Sequence, residues 1–367
     1  MYKVEFKLIV YTTMTWQTSN TLFENQIRPE HPYFQEAFDF MKIWESGEQE
    51  FSLKTSGSSG TPKTITVLRK QLLSSARMTG DILELGSGTK ALVCLNIRYI
   101  AGTMMLVRGM ELGWEMTIEE PSLNPLLGLG QESVFDFVAM VPAQLMTCLQ
   151  DKSTASRVNK LGKILIGGAP VDVSLLRKIE ELSVPVYQSY GMTETVSHVA
   201  LRRLNGDDAR EDYQVLSDIH FGTDERSCLY VGGAVTNGEL IQTNDIVEIT
   251  SSKTFKWLGR ADNIINSGGV KIILDKIDEV VAVVMYDLCI SVSFFAWYQI
   301  DDKWGQKLIL ILEASEADLS AANLISEIRK RVSEYETPKH VYFVDRFEKT
   351  ATDKIDKRRT AELLFNS

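Results

Sequence analysis

The 367-residue chain has few cysteines, no long apolar run and no surplus of positive charge. Its four cysteines, Cys94, Cys148, Cys228 and Cys289, lie far apart in apolar stretches. This spacing excludes a zinc pattern and a disulfide framework, and it predicts buried, reduced thiols. No apolar run approaches the ~18–20 residues that a membrane span needs. The 39 Lys and Arg against 49 Asp and Glu argue against nucleic acid or an anionic membrane surface as a partner.

The remaining composition is that of an ordinary globular protein, with 44% hydrophobic and 24% charged residues. Charged and apolar residues alternate from Lys3 to Leu8, which predicts an edge strand rather than a signal peptide. A soluble, cytoplasmic protein is therefore expected.

Short apolar strands alternate with amphipathic helices through the first two thirds of the chain, which predicts βαβ units and a mostly parallel sheet. Strands are expected over 51–54, 91–95, 134–138, 163–166 and 184–187, and helices over 68–83 and 143–149. Short strands dominate from 228 to 257. After residue 259 a polar hinge precedes helices near 275–284 and 319–332 and strands near 290–297 and 308–312.

The predicted fold is α/β. A large N-terminal domain over residues 1–261 is expected to hold a mostly parallel sheet, helices and a smaller β-rich part. A small α+β C-terminal domain is expected over residues 262–367.

A turn rich in glycine and hydroxyl residues follows the first of these strands, in the order Thr55-Ser56-Gly57-Ser58-Ser59-Gly60-Thr61-Pro62-Lys63. Small residues let the backbone approach an anion, and hydroxyl groups and a lysine suit phosphate oxygens. A Walker loop is excluded because Pro62 stands where its second glycine belongs, and proline has no N–H to donate. A flexible surface turn is the plain alternative.

Residue for residue, this loop resembles the phosphate loop of the acyl-adenylate-forming superfamily, which includes acyl-CoA ligases, luciferases and the adenylation domains of peptide synthetases. Further motifs follow in family order: Gly167-Gly168-Ala169-Pro170, Tyr190-Gly191-Met192-Thr193-Glu194, Thr243-Asn244-Asp245, Gly259-Arg260-Ala261-Asp262, and Lys349 to Lys354. Each motif alone could be a turn or a solvated charge. Their order and spacing indicate membership of the superfamily.

The resemblance implies a role for each matching residue. The ATP and AMP contacts fall on Thr55, Ser56, Gly57, Ser58, Ser59, Gly60, Thr61, Lys63, Gly167, Gly168, Ala169, Pro170, Tyr190, Gly191, Thr193, Asp245 and Arg260. Thr193, Glu194 and Lys354 would be catalytic, with Glu194 holding Mg²⁺, and Asp262 would be the hinge on which the small domain swings. ATP, Mg²⁺ and coenzyme A as co-substrate are the implied small-molecule partners, together with an acid.

Three departures from the family pattern bear on this interpretation. Only 54 residues precede the phosphate loop, where the family has a sizeable extra lobe, so a partner or a homodimer could cover the surface left open. Asn244 replaces a glycine. Asp353 also replaces a glycine, and its carboxylate beside Lys354 would partly neutralise the charge that catalysis uses.

The acid is predicted from the residues expected to line the acyl pocket. The aspartate that holds an amino-acid substrate in peptide-synthetase domains is missing from Asn96-Ile97-Arg98-Tyr99, and Arg98 is predicted either to meet a second carboxylate or to lie on the surface. Ser197, His198 and Arg202 complete the predicted acyl site.

Together with the short N-terminal region, these residues resemble compact o-succinylbenzoate–CoA ligases of menaquinone biosynthesis. That resemblance implies conversion of o-succinylbenzoate to its CoA thioester with release of AMP and diphosphate. Another aryl- or acyl-CoA ligase, an acyl-AMP synthetase and an inactive nucleotide-binding module remain as alternatives.

Overall fold

The computed structural model describes residues 15–54, 64–303, 305–315, 319–350 and 355–366. The strands are β1 (Thr15–Thr18), β2 (Glu50–Lys54), β3 (Thr64–Leu68), β4 (Lys90–Val93), β5 (Glu115–Glu119), β6 (Phe137–Met140), β7 (Lys163–Ile166), β8 (Val186–Gly191), β9 (His198–Arg203), β10 (Tyr213–Val215), β11 (Ile219–Thr223), β12 (Cys228–Gly233), β13 (Leu240–Ser251), β14 (Thr254–Arg260), β15 (Ile264–Ser267), β16 (Val270–Ile273), β17 (Phe294–Asp301), β18 (Gly305–Glu313) and β19 (Val341–Val344). The helices are α1 (Asn20–Phe23), α2 (Pro32–Glu45), α3 (Arg69–Leu83), α4 (Ile100–Leu112), α5 (Pro142–Gln150), α6 (Ala155–Val158), α7 (Val173–Glu180), α8 (Leu274–Asp287), α9 (Ala321–Arg329) and α10 (Lys357–Asn366).

A 12-stranded sheet forms the larger part, in the order β1-β5-β4-β6-β7-β8-β9-β10-β14-β13-β12-β11. Only the pairings among β5, β4, β6, β7 and β8 are parallel. The α/β fold class is confirmed, but the parallel part is smaller than the sequence predicts. The reason is visible at β8 and β9, which pair antiparallel across a connection too short for a crossover helix.

Successive side chains of a strand point to opposite faces of the sheet, so these apolar strands have two faces to bury. Helices pack on both of them. Ala91 and Val93 of β4 pack with residues of α2, α3 and α4 in one apolar cluster. Leu92 and Cys94 pack with residues of α5, α6 and α7 in another. Pro142 occupies the first turn of α5, where its missing N–H needs no partner, as the sequence predicts.

A second sheet, in the order β16-β15-β18-β17 with β19 against β18, forms the C-terminal part. Helices α8 and α9 pack on one of its faces, and α10 contributes Ala361 to an apolar cluster around Phe295. The larger sheet ends with β14 and the smaller one begins with β15, four residues later. The division of the chain at residue 261 stays a prediction.

Several predicted segments shift in the structure. Strand β6 begins at Phe137 rather than 134, β17 begins at Phe294 rather than 290, and β8 begins at Val186 and runs through Tyr190 and Gly191. The expectation of buried thiols holds for Cys94, Cys148 and Cys228 but is wrong for Cys289. That residue lies exposed just beyond α8, with a φ of +56° where the chain turns away from the helix.

The strand predicted over Lys3–Leu8, the loop Thr55–Lys63 and the residue Lys354 lie outside the described residues. Among the helices of the described ranges, none has the length and apolar character needed to cross a membrane.

Candidate active site

A cavity of about 320 Å³ opens beyond the carboxyl ends of the parallel strands β4, β6, β7 and β8. This is where ligands bind in open α/β sheets. It is lined by Leu95, Ile100, Ala101, Arg108, Ala139, Met140, Val141, Leu165, Gly167, Gly168, Ser189, Gly191, Met192, Val196, Ser197 and His198.

Two glycines form the floor of this cavity where β7 ends. A Cβ atom on Gly167 would lie 2.5 Å from Ser189 Oγ, so a larger residue would force the Ser189 side chain of β8 to move. Gly168 has a φ of +83°, which glycine adopts without strain. Ala169 and Pro170 follow as exposed residues. The two glycines of the predicted Gly167–Pro170 motif therefore line the cavity, and the backbone conformation favours glycine at Gly168.

The connection between β8 and β9 carries the predicted catalytic pair and is tightly folded. Gly191 lies against the backbone of Ser197, so a side chain at Gly191 would clash with it. Val196 has φ +66° and ψ −53°, and the Ser197 N–H donates to Thr195 O over 2.7 Å. This is the rare γ-turn, which is strained for a β-branched residue and is typical of functional sites.

This turn leaves Thr193 half-buried and Glu194 exposed. In the described residues no group of three or more His, Cys, Asp or Glu side chains could hold a metal ion. Mg²⁺ at nucleotide sites usually takes one or two carboxylates, with water and substrate phosphates as its other ligands. A single accessible carboxylate at Glu194 fits that donor set.

Three residues predicted to contact the nucleotide meet beside the cavity. The Tyr190 hydroxyl donates to Asp245 Oδ2 over 2.6 Å, and Arg260 Nη1 lies 3.4 Å from Asp245 Oδ1. Burial and the Asp245 carboxylate raise the pKa of Tyr190, which therefore remains a neutral donor. The structure thus brings together residues from β8, β13 and β14.

The residue that sequence reasoning missed is Arg108, in the middle of the apolar helix α4. Its side chain is buried, with Nε donating to Thr79 Oγ1 over 3.1 Å and Nη2 donating to Ser197 Oγ over 2.9 Å. Burial lowers the pKa of Arg108 to about 10, so the guanidinium stays charged at neutral pH. Among the described residues no carboxylate forms an ion pair with it.

His198, which the sequence predicts for the acyl site, lies beside the same two hydroxyls. Its Nε2 is 3.1 Å from Thr79 Oγ1 and its Nδ1 is 3.4 Å from Ser197 Oγ. Burial, and secondarily the charge of Arg108, lower the pKa of His198 well below its usual value. The imidazole is therefore neutral beside the buried guanidinium.

The structure does not bring the other two predicted arginines into the cavity. Arg98 is exposed and forms a two-pronged ion pair with Glu36 of α2, with contacts of 2.5 and 2.7 Å. Arg202 donates to Gln188 Oε1 over 2.9 Å and lies over the Tyr213 ring on the outer side of β9. Ser197, His198 and Arg108 are the polar side chains that the geometry brings together in the wall of the cavity.

For two predicted segments, the structure describes only the residues on either side. Strands β2 and β3 pair antiparallel up to Lys54 and Thr64, which bracket the predicted phosphate loop. A bridge between Lys349 and Ile355 brackets Lys354, and the Asp356 N–H donates to Glu348 O over 2.8 Å. Asp262, the predicted hinge, is exposed and lies 2.9 Å from Arg260 Nη2.

Comparisons with known proteins agree with this geometry. Residues 52–218 match the AMP-binding enzyme family, and residues 296–354 match the AMP-binding enzyme C-terminal domain. A solved acyl-CoA synthetase (AMP-forming)/AMP-acid ligase II-like protein from Dyadobacter fermentans is 57% identical, covers 96% of this chain and 100% of its own, and has a TM-score of 0.69.

More distant relatives have narrower names. A 2-succinylbenzoate–CoA ligase from Enterococcus faecalis is 25% identical over 335 residues, which are 83% of this chain and 67% of that protein. The o-succinylbenzoate coenzyme A synthetase of Bacillus subtilis, solved with ATP and magnesium, shares the fold with a TM-score of 0.67 at 20% identity, over 84% of this chain and 69% of that one. The chain spans about two thirds of the length of the curated relatives it matches.

The motifs in family order, the cavity at the strand ends and the match to a relative of 57% identity over 96% of this chain agree with one another. The chain therefore belongs to the AMP-binding enzyme family, and the relatives named above are acyl-CoA ligases and synthetases.

Proposed function

We propose that this protein uses ATP to convert a carboxylic acid into its CoA thioester, and that the acid is o-succinylbenzoate. The observation that carries the choice of acid is Arg108. It is a buried cation facing the cavity, and it has no acidic partner among the described residues.

A buried charge without a counter-ion is costly, and proteins usually pair it. The groups that contact Arg108 are neutral acceptors: the hydroxyls of Thr79 and Ser197 and, more weakly, the Met105 sulfur at 4.0 Å, which together use three of its five N–H donors. A carboxylate entering the cavity would take the remaining donors in the fork geometry that guanidinium offers. The cavity therefore favours an anionic group deep inside, apart from the carboxylate that reacts.

The rest of the lining suits an aromatic ring rather than a long chain. Leu95, Ile100, Ala139, Met140 and Leu165 supply apolar walls. o-Succinylbenzoate has a ring, an aliphatic carboxylate that can be activated and a ring carboxylate that can pair with Arg108. The names of the relatives from Enterococcus and Staphylococcus support this choice.

The proposed chemistry has two half-reactions. A carboxylate oxygen attacks the α-phosphorus of ATP, pyrophosphate leaves, and the CoA thiol then displaces AMP from the acyl-adenylate. Thr193, Glu194 and Lys354 are the residues proposed to position and neutralise the negative groups in the first step. Mg²⁺ bound at Glu194 would supply further positive charge for the phosphates.

The test is pyrophosphate release with ATP, Mg²⁺ and CoA across a panel of acids: o-succinylbenzoate, 4-oxo-4-phenylbutanoate, benzoate, a medium-chain fatty acid and an aromatic amino acid. We expect kcat/KM for o-succinylbenzoate to exceed that of each other acid by about 100-fold or more, as expected for one buried charge pair. Lys354→Ala should abolish release, whereas exposed Lys160→Ala should not.

Turnover of the fatty acid or benzoate at the same rate as o-succinylbenzoate would refute the choice of acid while leaving the ligase assignment intact. No release with any acid, from a folded protein that binds ATP, would refute the ligase assignment itself.

A further inference from the structure

Four side chains form a closed hydrogen-bonded group on one wall of the cavity: Thr79, Arg108, Ser197 and His198, called here the His198 cluster. Arg108 donates to both hydroxyls, and the His198 ring lies between the same two hydroxyls, with Nε2 facing Thr79 and Nδ1 facing Ser197. Three of the four residues are nearly inaccessible to solvent, while Ser197 is half-buried at the cavity. Ser197 is therefore the member of the cluster that is most accessible from the cavity, which Arg108 and His198 also line.

A neutral imidazole carries one N–H, and each hydroxyl has one proton. If both ring nitrogens of His198 are hydrogen-bonded, the protons of the cluster can be arranged in two ways. In the first arrangement Thr79 donates to Ser75 O over 2.9 Å, His198 Nε2–H donates to Thr79, and Ser197 donates to the bare Nδ1. In the second, Thr79 donates to the bare Nε2, and His198 Nδ1–H donates to Ser197 Oγ.

The two arrangements differ in what the cavity meets. In the first, the Ser197 proton is turned inward to the imidazole, so Ser197 offers the cavity only an oxygen. In the second, Ser197 Oγ accepts from both Arg108 and His198, and its own proton is free to point into the cavity. An anion attracted by Arg108 meets only a lone pair of Ser197 in the first arrangement and gains a hydrogen-bond donor in the second.

We infer that His198 is a positioning residue that acts as a neutral tautomeric switch, turning the Ser197 hydroxyl toward a carboxylate bound at Arg108. This inference rests on the proposed function, because it requires a substrate that carries a second carboxylate. One proton leaves Nε2 and one joins Nδ1, by exchange with water during local opening of the cluster, because Nε2 faces the buried Thr79. The imidazole stays neutral and the protein gains no proton.

The switch explains why a histidine suits this position beside a guanidinium. A lysine or arginine there would place a second positive charge against Arg108, and an aliphatic residue would leave Thr79 and Ser197 without this partner. Neutral histidine can donate on either side without changing the charge of the site, which preserves the attraction of Arg108 for an anion.

The direct test is nitrogen-15 NMR of the histidine side chains in the full-length protein, free and saturated with o-succinylbenzoate. The chain has four histidines, so His198→Gln identifies the His198 signals by their loss. We expect ligand to exchange the protonated and unprotonated nitrogen signals of His198 between Nε2 and Nδ1. 4-Oxo-4-phenylbutanoate, which lacks the ring carboxylate, should leave them in place, and the signals of exposed His220 should not respond to either acid.

Ser197→Ala gives a second reading, because it removes the hydroxyl that the switch serves. In this variant o-succinylbenzoate should still bind at Arg108, but the His198 tautomer should be the same with and without it. Binding of o-succinylbenzoate to the unaltered protein with no change of tautomer would overturn the inference and leave the proposed function standing. No binding at all, measured by calorimetry, would overturn both.

Discussion

The Tyr190 hydroxyl donates a 2.6 Å hydrogen bond to the carboxylate of Asp245, joining two motifs that lie 55 residues apart in the chain. The bond links the end of β8 to β13, and Arg260 approaches the other carboxylate oxygen from β14. Asp245 is therefore oriented from both sides before a nucleotide arrives. A carboxylate held in this way can accept hydrogen bonds from a ribose without first being ordered.

Tyr190→Phe tests this orientation. Removing the hydroxyl leaves Asp245 held by Arg260 alone, and a hydrogen bond to a charged group contributes roughly 1.5–3 kcal/mol. We expect KM for ATP to rise about tenfold in the pyrophosphate-release assay, with little change in KM for the acid. Exposed Tyr335→Phe is the matched control. An unchanged KM for ATP would show that the bond does not prepare the nucleotide site.

The buried carboxyl group of Glu119 should make the free energy of unfolding depend on pH, independently of catalysis. Its side chain is inaccessible, and both carboxylate oxygens lack a hydrogen-bond partner among the described residues. Burial raises the pKa of Glu119 from 4.5 to about 7, and Arg157 only partly opposes this shift. Between these two pH values the folded protein holds a proton that the unfolded chain has lost.

Stability should therefore fall as pH rises from about 4.5 to about 7, by on the order of 3 kcal/mol from this one group. Glu119→Gln, which cannot ionise, should unfold at higher denaturant concentration than the unaltered protein at pH 8 and at a similar concentration at pH 5. Exposed Glu115→Gln on the same strand is the control. An equal effect of Glu119→Gln at both pH values would contradict the assignment of a raised pKa.

Asp275 connects the two sides of the proposed hinge. Its Oδ2 accepts from the Arg260 N–H over 2.8 Å, and its carboxylate also accepts from the Asn263 side chain. The bond to Arg260 spans Asp262, so it must break if the C-terminal part swings there, whereas the bond to Asn263 need not. We expect Asp275→Ala to reduce the population of the domain orientation seen here.

A distance between two labels measures this population. Cys289 is exposed on the C-terminal part and the other three cysteines are buried, so Lys152→Cys would add one further accessible label site. Asp275→Ala should broaden the label distance distribution, and Glu327→Ala, which removes an ion pair with Lys330 at the end of helix α9, should not. An unchanged distribution in Asp275→Ala would show that the bond does not restrain the hinge.

Much of the architecture could be predicted because local patterns were strong. The apolar strands at β2, β4 and β7 and the helix after Pro142 fall where the sequence indicates. The antiparallel part of the large sheet was less predictable, since strand pairing depends on connection length and register rather than on strand composition.

The candidate site was also only partly predictable from the sequence. Motif order predicted a shared site for Tyr190 and Asp245, and the structure joins these two side chains by a hydrogen bond. Arg98 was predicted from its place in the segment where peptide-synthetase domains hold their substrate, yet its partner Glu36 lies 62 residues away and no local pattern indicates the pair. Arg108 could have been predicted from the sequence. It is an isolated charge within an apolar helix, which normally requires a buried partner or a ligand.

If Arg108 selects an acid with a second carboxylate, replacing Arg108 should remove the preference for o-succinylbenzoate. The ratio of kcat/KM for o-succinylbenzoate to that for 4-oxo-4-phenylbutanoate is measured in the unaltered protein and in three matched variants, Arg108→Met, Arg98→Met and Arg77→Met. We expect a ratio of about 100 or more in the unaltered protein, and a ratio near one only in Arg108→Met. A ratio that survives in Arg108→Met, or that falls instead in Arg98→Met, would contradict this role of Arg108.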